Sequence, residues 1–81
     1  MADRLTGKRA TEEAPFAPGV YWRGDDGIWY GVTPNGLLTN LRNHDVIDHG
    51  DGTISATPSI LCRGASSEWH GYLTKGEWVS V

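Results

Sequence analysis

From Gly19 onward, turn-forming residues interrupt the chain so often that no long helix fits between them. The connectors GDDG (24–27), TPNG (33–36), HGDG (49–52), RGASS (63–67) and TKG (74–76) all carry glycine, which supplies positive φ and tight reversal. Between them lie GVYWRG, GIWYGVT, DVID, GTISATPSI, EWHGYLT and EWVSV, short runs rich in β-branched and aromatic residues. This texture predicts an all-β fold, a small antiparallel meander or barrel of about six short strands. Only GLLTNLRNH, residues 36–44, leaves a choice open. Leu37, Leu38 and Leu41 stand at helical spacing, but a run this short fits a single helical turn or an edge strand equally well.

The closing stretch EWHGYLTKGEWVSV, residues 68–81, can be read in register. A two-residue turn at Lys75-Gly76 sets Thr74 opposite Glu77, Leu73 opposite Trp78, Tyr72 opposite Val79 and His70 opposite Val81. Alternation then puts Trp69, Leu73 and Trp78 on one face and His70, Tyr72, Val79 and Val81 on the other. Both faces are apolar enough to predict a central hairpin covered on each side. A second hairpin, VYWRGDDGIWYGV with its turn at Asp25-Asp26-Gly27, brings Trp22 and Trp29 toward one of those faces.

A chain of 81 residues hides only about 60% of its unfolded surface, so it needs reinforcement. Cys62 is the sole cysteine, which closes the route of an internal disulfide. Four tryptophans point instead to unusually large core side chains, and Trp69 and Trp78 are assigned to that core.

Residues 1–18 differ in texture from residues 19–81. Apart from Leu5 and Phe16 they hold little apolar surface; Asp3, Glu12 and Glu13 cancel Arg4, Lys8 and Arg9, and Pro15 and Pro18 deny the end of the segment a regular ladder. The expectation is a flexible, protease-sensitive N-terminal arm on a β-domain spanning 19–81, with Phe16 as an anchor should the arm order on a partner.

Charge narrows the classes of function. The net charge is −3 with a pI near 5.4, and Lys and Arg are scattered, so the basic stripe of a nucleic-acid binder is missing. No apolar run approaches the roughly 20 residues of a membrane span, and the first residues lack a signal peptide's apolar core, so a cytosolic chain is expected. His44, His49, Cys62 and His70 are the types a zinc ion takes, but they lack a knuckle spacing, and neither metal nor other cofactor is expected. Asp45, Asp48 and Asp51 recur every three residues without the ligand order of an EF-hand loop; a polar hairpin tip explains them better. Glu68, His70 and Glu77 fall near one another in the hairpin, with Ser66 and Ser67 close in sequence, yet nothing orients a nucleophile, and no catalysis is expected. Aromatic groups left outside a small β-domain mark protein contacts. Phe16, Trp22, Trp29 and His70 are the candidates for them.

Across about residues 20–78 the chain resembles small proteins encoded by phages and prophages, notably of actinobacteria. The likeness rests on a Trp-rich start with Trp29, the TPNG-like turn with Pro34 and Gly36, and the N-L-x-N-H segment with Leu41 and His44. It continues through D-G-T-I (51–54), P-S-I (58–60), W-H-G-Y-L (69–73) and the closing G-x-W (76–78). The cysteine-rich N-terminal knuckle of more distant relatives has no counterpart here, so no zinc site is inherited. The resemblance implies a phage origin rather than an activity. With it, the leading expectation is a non-catalytic protein-binding accessory protein in the host cytoplasm, modulating a host defence or regulatory protein. The alternative is a virion component, a capsid-decorating or minor head protein latching by its arm.

Overall fold

The computed structural model describes residues 4–10 and 17–81. Among them every regular element is a strand: β1 Arg4–Thr6, β2 Lys8–Arg9, β3 Val20–Arg23, β4 Trp29–Val32, β5 Leu38–Asn40, β6 Asp45–Asp48, β7 Ile54–Arg63, β8 Glu68–Thr74 and β9 Glu77–Ser80. The all-β class holds, and all six of the expected segments are strands. The ambiguous run at 36–44 resolves as a short edge strand, β5, with no helical turn. Leu38 and Asn40 point to solvent, so the run offers no continuous apolar stripe for a helix to bury.

The strands form two sheets, one ordered β1-β9-β8-β7-β6 and the other β2-β3-β4-β5. Most neighbours are antiparallel, as expected; β2 and β3 run parallel. The closing hairpin takes the register read from its turn, with Gly71 opposite Ser80, Tyr72 opposite Val79, Leu73 opposite Trp78 and Thr74 opposite Glu77. Lys75 (φ 47°) and Gly76 (φ 77°) both sit in the left-handed region, the geometry of a type I′ turn. The Val81 amide donates to the His70 carbonyl at 2.9 Å and extends the ladder by one step.

The N-terminal segment departs from the expected arm. Residues 4–6 pair with β9, Arg4 opposite Val79, Leu5 opposite Trp78 and Thr6 opposite Glu77. One residue later the chain enters the other sheet, Lys8 beside Val20 and Arg9 beside Tyr21. Gly7 makes this crossing possible: its amide donates to the Gly76 carbonyl at 2.7 Å, and a Cβ there would stand 2.7 Å from the Gly19 oxygen and 2.8 Å from the Tyr21 ring. The segment is short of apolar residues, but its backbone groups complete both sheets, a contribution that composition does not reveal. Arg9 adds a side-chain tie, its guanidinium 5.0 Å from the Trp29 ring centroid and 3.3 Å from an Asp48 carboxylate oxygen. The proposed anchor Phe16, with Pro15, lies outside the described residues.

The core lies between the sheets and consists of Tyr21, Leu41, Ile54, Ala56, Ile60, Trp69, Leu73 and Trp78, with Leu5, Trp29 and Val46 packed against it. Trp69 and Trp78 meet edge to face, centroids 5.5 Å apart at 73°. Trp78 reaches across to the smaller sheet, donating its indole N–H to the Gly19 carbonyl at 2.9 Å. A Cβ on Gly31 of β4 would come within 2.8 Å of the Trp78 ring, so this glycine lets the second sheet lie directly on the indole.

Aspartates fix the turns. Asp26 accepts from the Ile28 amide and the Tyr30 hydroxyl, and Asp51 from the Thr53 amide and hydroxyl. The Ile28 amide and then the Tyr30 hydroxyl hold the Asp26 carboxyl below its ordinary value; the Thr53 hydroxyl and then its amide do the same for Asp51. At pH values just below the ordinary carboxylate range the folded chain therefore binds fewer protons on these groups than the unfolded chain. Their contribution to stability is complete above about pH 4 and is lost as pH falls through the folded values. Carboxyl-carbon NMR titration is expected to give midpoints for both below that of a model aspartate. A midpoint at the model value would remove these contacts from the solution fold.

Candidate functional site

Along β8, burial alternates without exception: Trp69, Gly71 and Leu73 face inward while Glu68, His70, Tyr72 and Thr74 face out. The outer side of this hairpin is open, contrary to the expectation that both faces would be covered. The smaller sheet covers only the Trp69–Leu73–Trp78 side, and no further layer stands on the other among the described residues. Tyr72 is 49% exposed, Leu61 52% and Val81 74%, apolar side chains that this face shows to solvent.

The register places these groups in rows. Arg4, Val79 and Tyr72 stand side by side across β1, β9 and β8, and Thr6, Glu77 and Thr74 form the next row. On the other side of Tyr72, His70 pairs with Leu61 of β7. Arg4, Tyr72, Thr74, Lys75, Glu77 and Val79 together line a shallow groove of about 380 Å³. Val79 is half-buried at its floor. The Arg4–Glu77 ion pair spans 3.4 Å with both side chains well exposed, which makes it weak and easily exchanged.

Next to the rows, β7 bulges. Its pairing with β8 runs from Ala56–Leu73 to Ile60–Gly71, four steps along one strand against two along the other. The bulge turns Ser59 toward two histidines: His70 Nε2 lies 3.1 Å from the Ser59 hydroxyl, and His44 Nε2 lies 3.2 Å from the Ser59 carbonyl. A carbonyl only accepts, so His44 carries its proton on Nε2, leaving Nδ1 buried without a hydrogen-bond partner.

The residues picked out by sequence scatter over the molecule. Trp22 stacks on Tyr30, centroids 5.9 Å apart at 18°, whereas Trp29 lies on the opposite side of the same sheet beneath Arg9. His70 belongs to the outer face of the larger sheet. The three do not share a surface, because adjacent strand residues point to opposite faces. The metal candidates are likewise divided: His44 and His70 meet at Ser59, His49 contacts the Ser55 hydroxyl at 2.8 Å, and the buried Cys62 thiol points to the Leu38 carbonyl at 3.5 Å. Among the described residues no three His, Cys, Asp or Glu side chains cluster as a metal site. Of the candidate acid–base set, Glu68 pairs with Arg63 at 3.2 Å and Glu77 with Arg4, so neither carboxylate is committed to His70.

Sequence reasoning placed Tyr72 and Val79 on one face of the hairpin but did not recognise that face as a surface. The groove's other members, Arg4 above all, come from a strand it did not expect. No protein-family model matches this chain, and neither a curated protein nor a solved structure matches it.

Proposed function

We propose that this chain is a phage- or prophage-encoded, non-catalytic binding protein that acts on a host protein through the open face of its larger sheet. The observation that carries the reading is the exposure of Leu61, Tyr72 and Val81 on a domain whose interior is already served by Trp69 and Trp78. An uncovered aromatic and aliphatic patch, rimmed by Arg4, Glu77, Arg63 and Glu68, has the make-up of a protein-contact surface: apolar centre, polar rim. A tyrosine at such a centre contributes large contact area at small conformational cost. The phage assignment is supported by the sequence resemblance alone.

The test is quantitative capture from host lysate with the wild-type chain and with a Leu61→Ser, Tyr72→Ser double variant. Both side chains are half-exposed, so the double variant is expected to melt near the wild type. It is expected to weaken a specifically captured protein by about 2 kcal/mol or more, roughly thirtyfold. Equal capture by both chains would remove the face from the function. Retention only on assembled phage particles would favour the virion alternative.

A further inference from the structure

We propose that the groove beside Lys75 binds a side-chain carboxylate from an acidic segment of the partner protein. This deepens the protein-binding reading and rests on it. Among the described residues, two cations, Arg4 and Lys75, and the Thr74 hydroxyl line the groove together with a single carboxylate, Glu77. That carboxylate is already held by Arg4, while among the described residues no ion pair engages Lys75. The groove is thus locally positive on a molecule of net charge −3, which opposes a cationic occupant and favours an anionic one. Arg4 is 71% exposed, so its guanidinium can turn from Glu77 to an incoming carboxylate at little cost, with two N–H groups to offer it. Tyr72 and Val79, in the row beside Arg4, present the apolar floor for a neighbouring side chain of the same segment.

A second observation singles out Lys75. It is the only residue other than glycine with positive φ among the described residues, at the turn position where Asn, Asp or Gly is preferred. Its amide is pinned by the Ser55 hydroxyl at 2.8 Å, which fixes the backbone there. A lysine held in that conformation sacrifices turn stability and places an ammonium on the groove's rim. Strained positions of this kind concentrate at functional sites.

The experiment is an amide NMR titration of the whole chain with an acetylated, amidated peptide GFDEIG and its neutral counterpart GFNQIG. With the acidic peptide, shifts are expected to centre on Arg4, Tyr72–Thr74 and Glu77–Val79, and to be absent with the neutral one. Lys75→Asn is expected to weaken binding about tenfold or more while raising Tm by roughly 4 °C, opposite signs that a merely structural lysine would not give. Arg4→Gln is expected to lower affinity at unchanged Tm. Equal shifts from both peptides, no shifts, or full binding by Lys75→Asn would overturn the proposal. So would binding that appears only when GFNQIG carries a free C-terminal carboxylate, since the side chain would then not be the recognised group. A silent peptide alongside a working Leu61→Ser, Tyr72→Ser effect on capture would sink the carboxylate assignment alone. Loss of the capture effect would sink the face itself.

Discussion

Trp78→Ala is expected to leave the chain without a cooperative melt. The indole is fully buried, packs edge to face on Trp69, lies opposite Leu73 and supports Gly31 of the other sheet. Truncating a large buried aromatic costs about 3–5 kcal/mol. It also removes the indole N–H bond to the Gly19 carbonyl that joins the sheets there, leaving that oxygen the Lys8 amide at 3.1 Å. Net stabilities of domains are about 5–15 kcal/mol and small domains fall toward the low end, so the loss is comparable to the whole margin. Far-UV circular dichroism and tryptophan emission during thermal denaturation measure it. A folded variant with near-native melting would show that the sheets do not depend on this contact.

Deletion of residues 1–10 is expected to be nearly as severe. It strips β1 from β9 and β2 from β3, uncovers Leu5's place against the core and removes the Arg9 tie to Trp29 and Asp48. The ladder partners lost are backbone groups on strands that also carry Tyr21 and Trp78, so freed edges adjoin the core directly. The truncated chain is expected to be largely unfolded or aggregated, seen as loss of dispersed amide resonances. Gly7→Val is expected to reproduce the defect in the full-length chain, because its side chain has no room between the Gly19 and Gly76 carbonyls. A stable, dispersed domain from residue 11 onward would restore the first segment to the status of a detachable arm.

These two results bear on what was legible in the sequence. The closing hairpin was readable to the residue because a Lys-Gly turn and strict alternation determine register together, and Trp69, Leu73 and Trp78 then had to share a face. The first hairpin was readable for the same reason, and Tyr21, Trp22, Tyr30 and Trp29 lie close together as its turn requires. The strands at 4–6 and 8–9 were hidden because their role lies in main-chain hydrogen bonds, which every residue but proline offers and no composition signals. The open face was hidden for a different reason. Which face of a two-sided apolar hairpin stays open depends on where the other sheet settles, and that is decided by long-range contacts such as Trp78 to Gly19 and Gly31. Large aromatics were therefore nominated on type alone, and Trp22 and Trp29 proved to belong to opposite sides of one sheet.

The groove is assembled from strands at opposite ends of the chain. Arg4 comes from β1, Glu77 and Val79 from β9, and the two segments are 73 positions apart where Arg4 meets Glu77. Neither a partly synthesised chain nor one clipped between these segments and released can present it. Pairings of such long separation also close late, after the local hairpins have formed. On the proposed reading, recognition at this face doubles as an inspection: only a molecule that has finished folding would be competent to bind, and immature copies would be silent toward the partner.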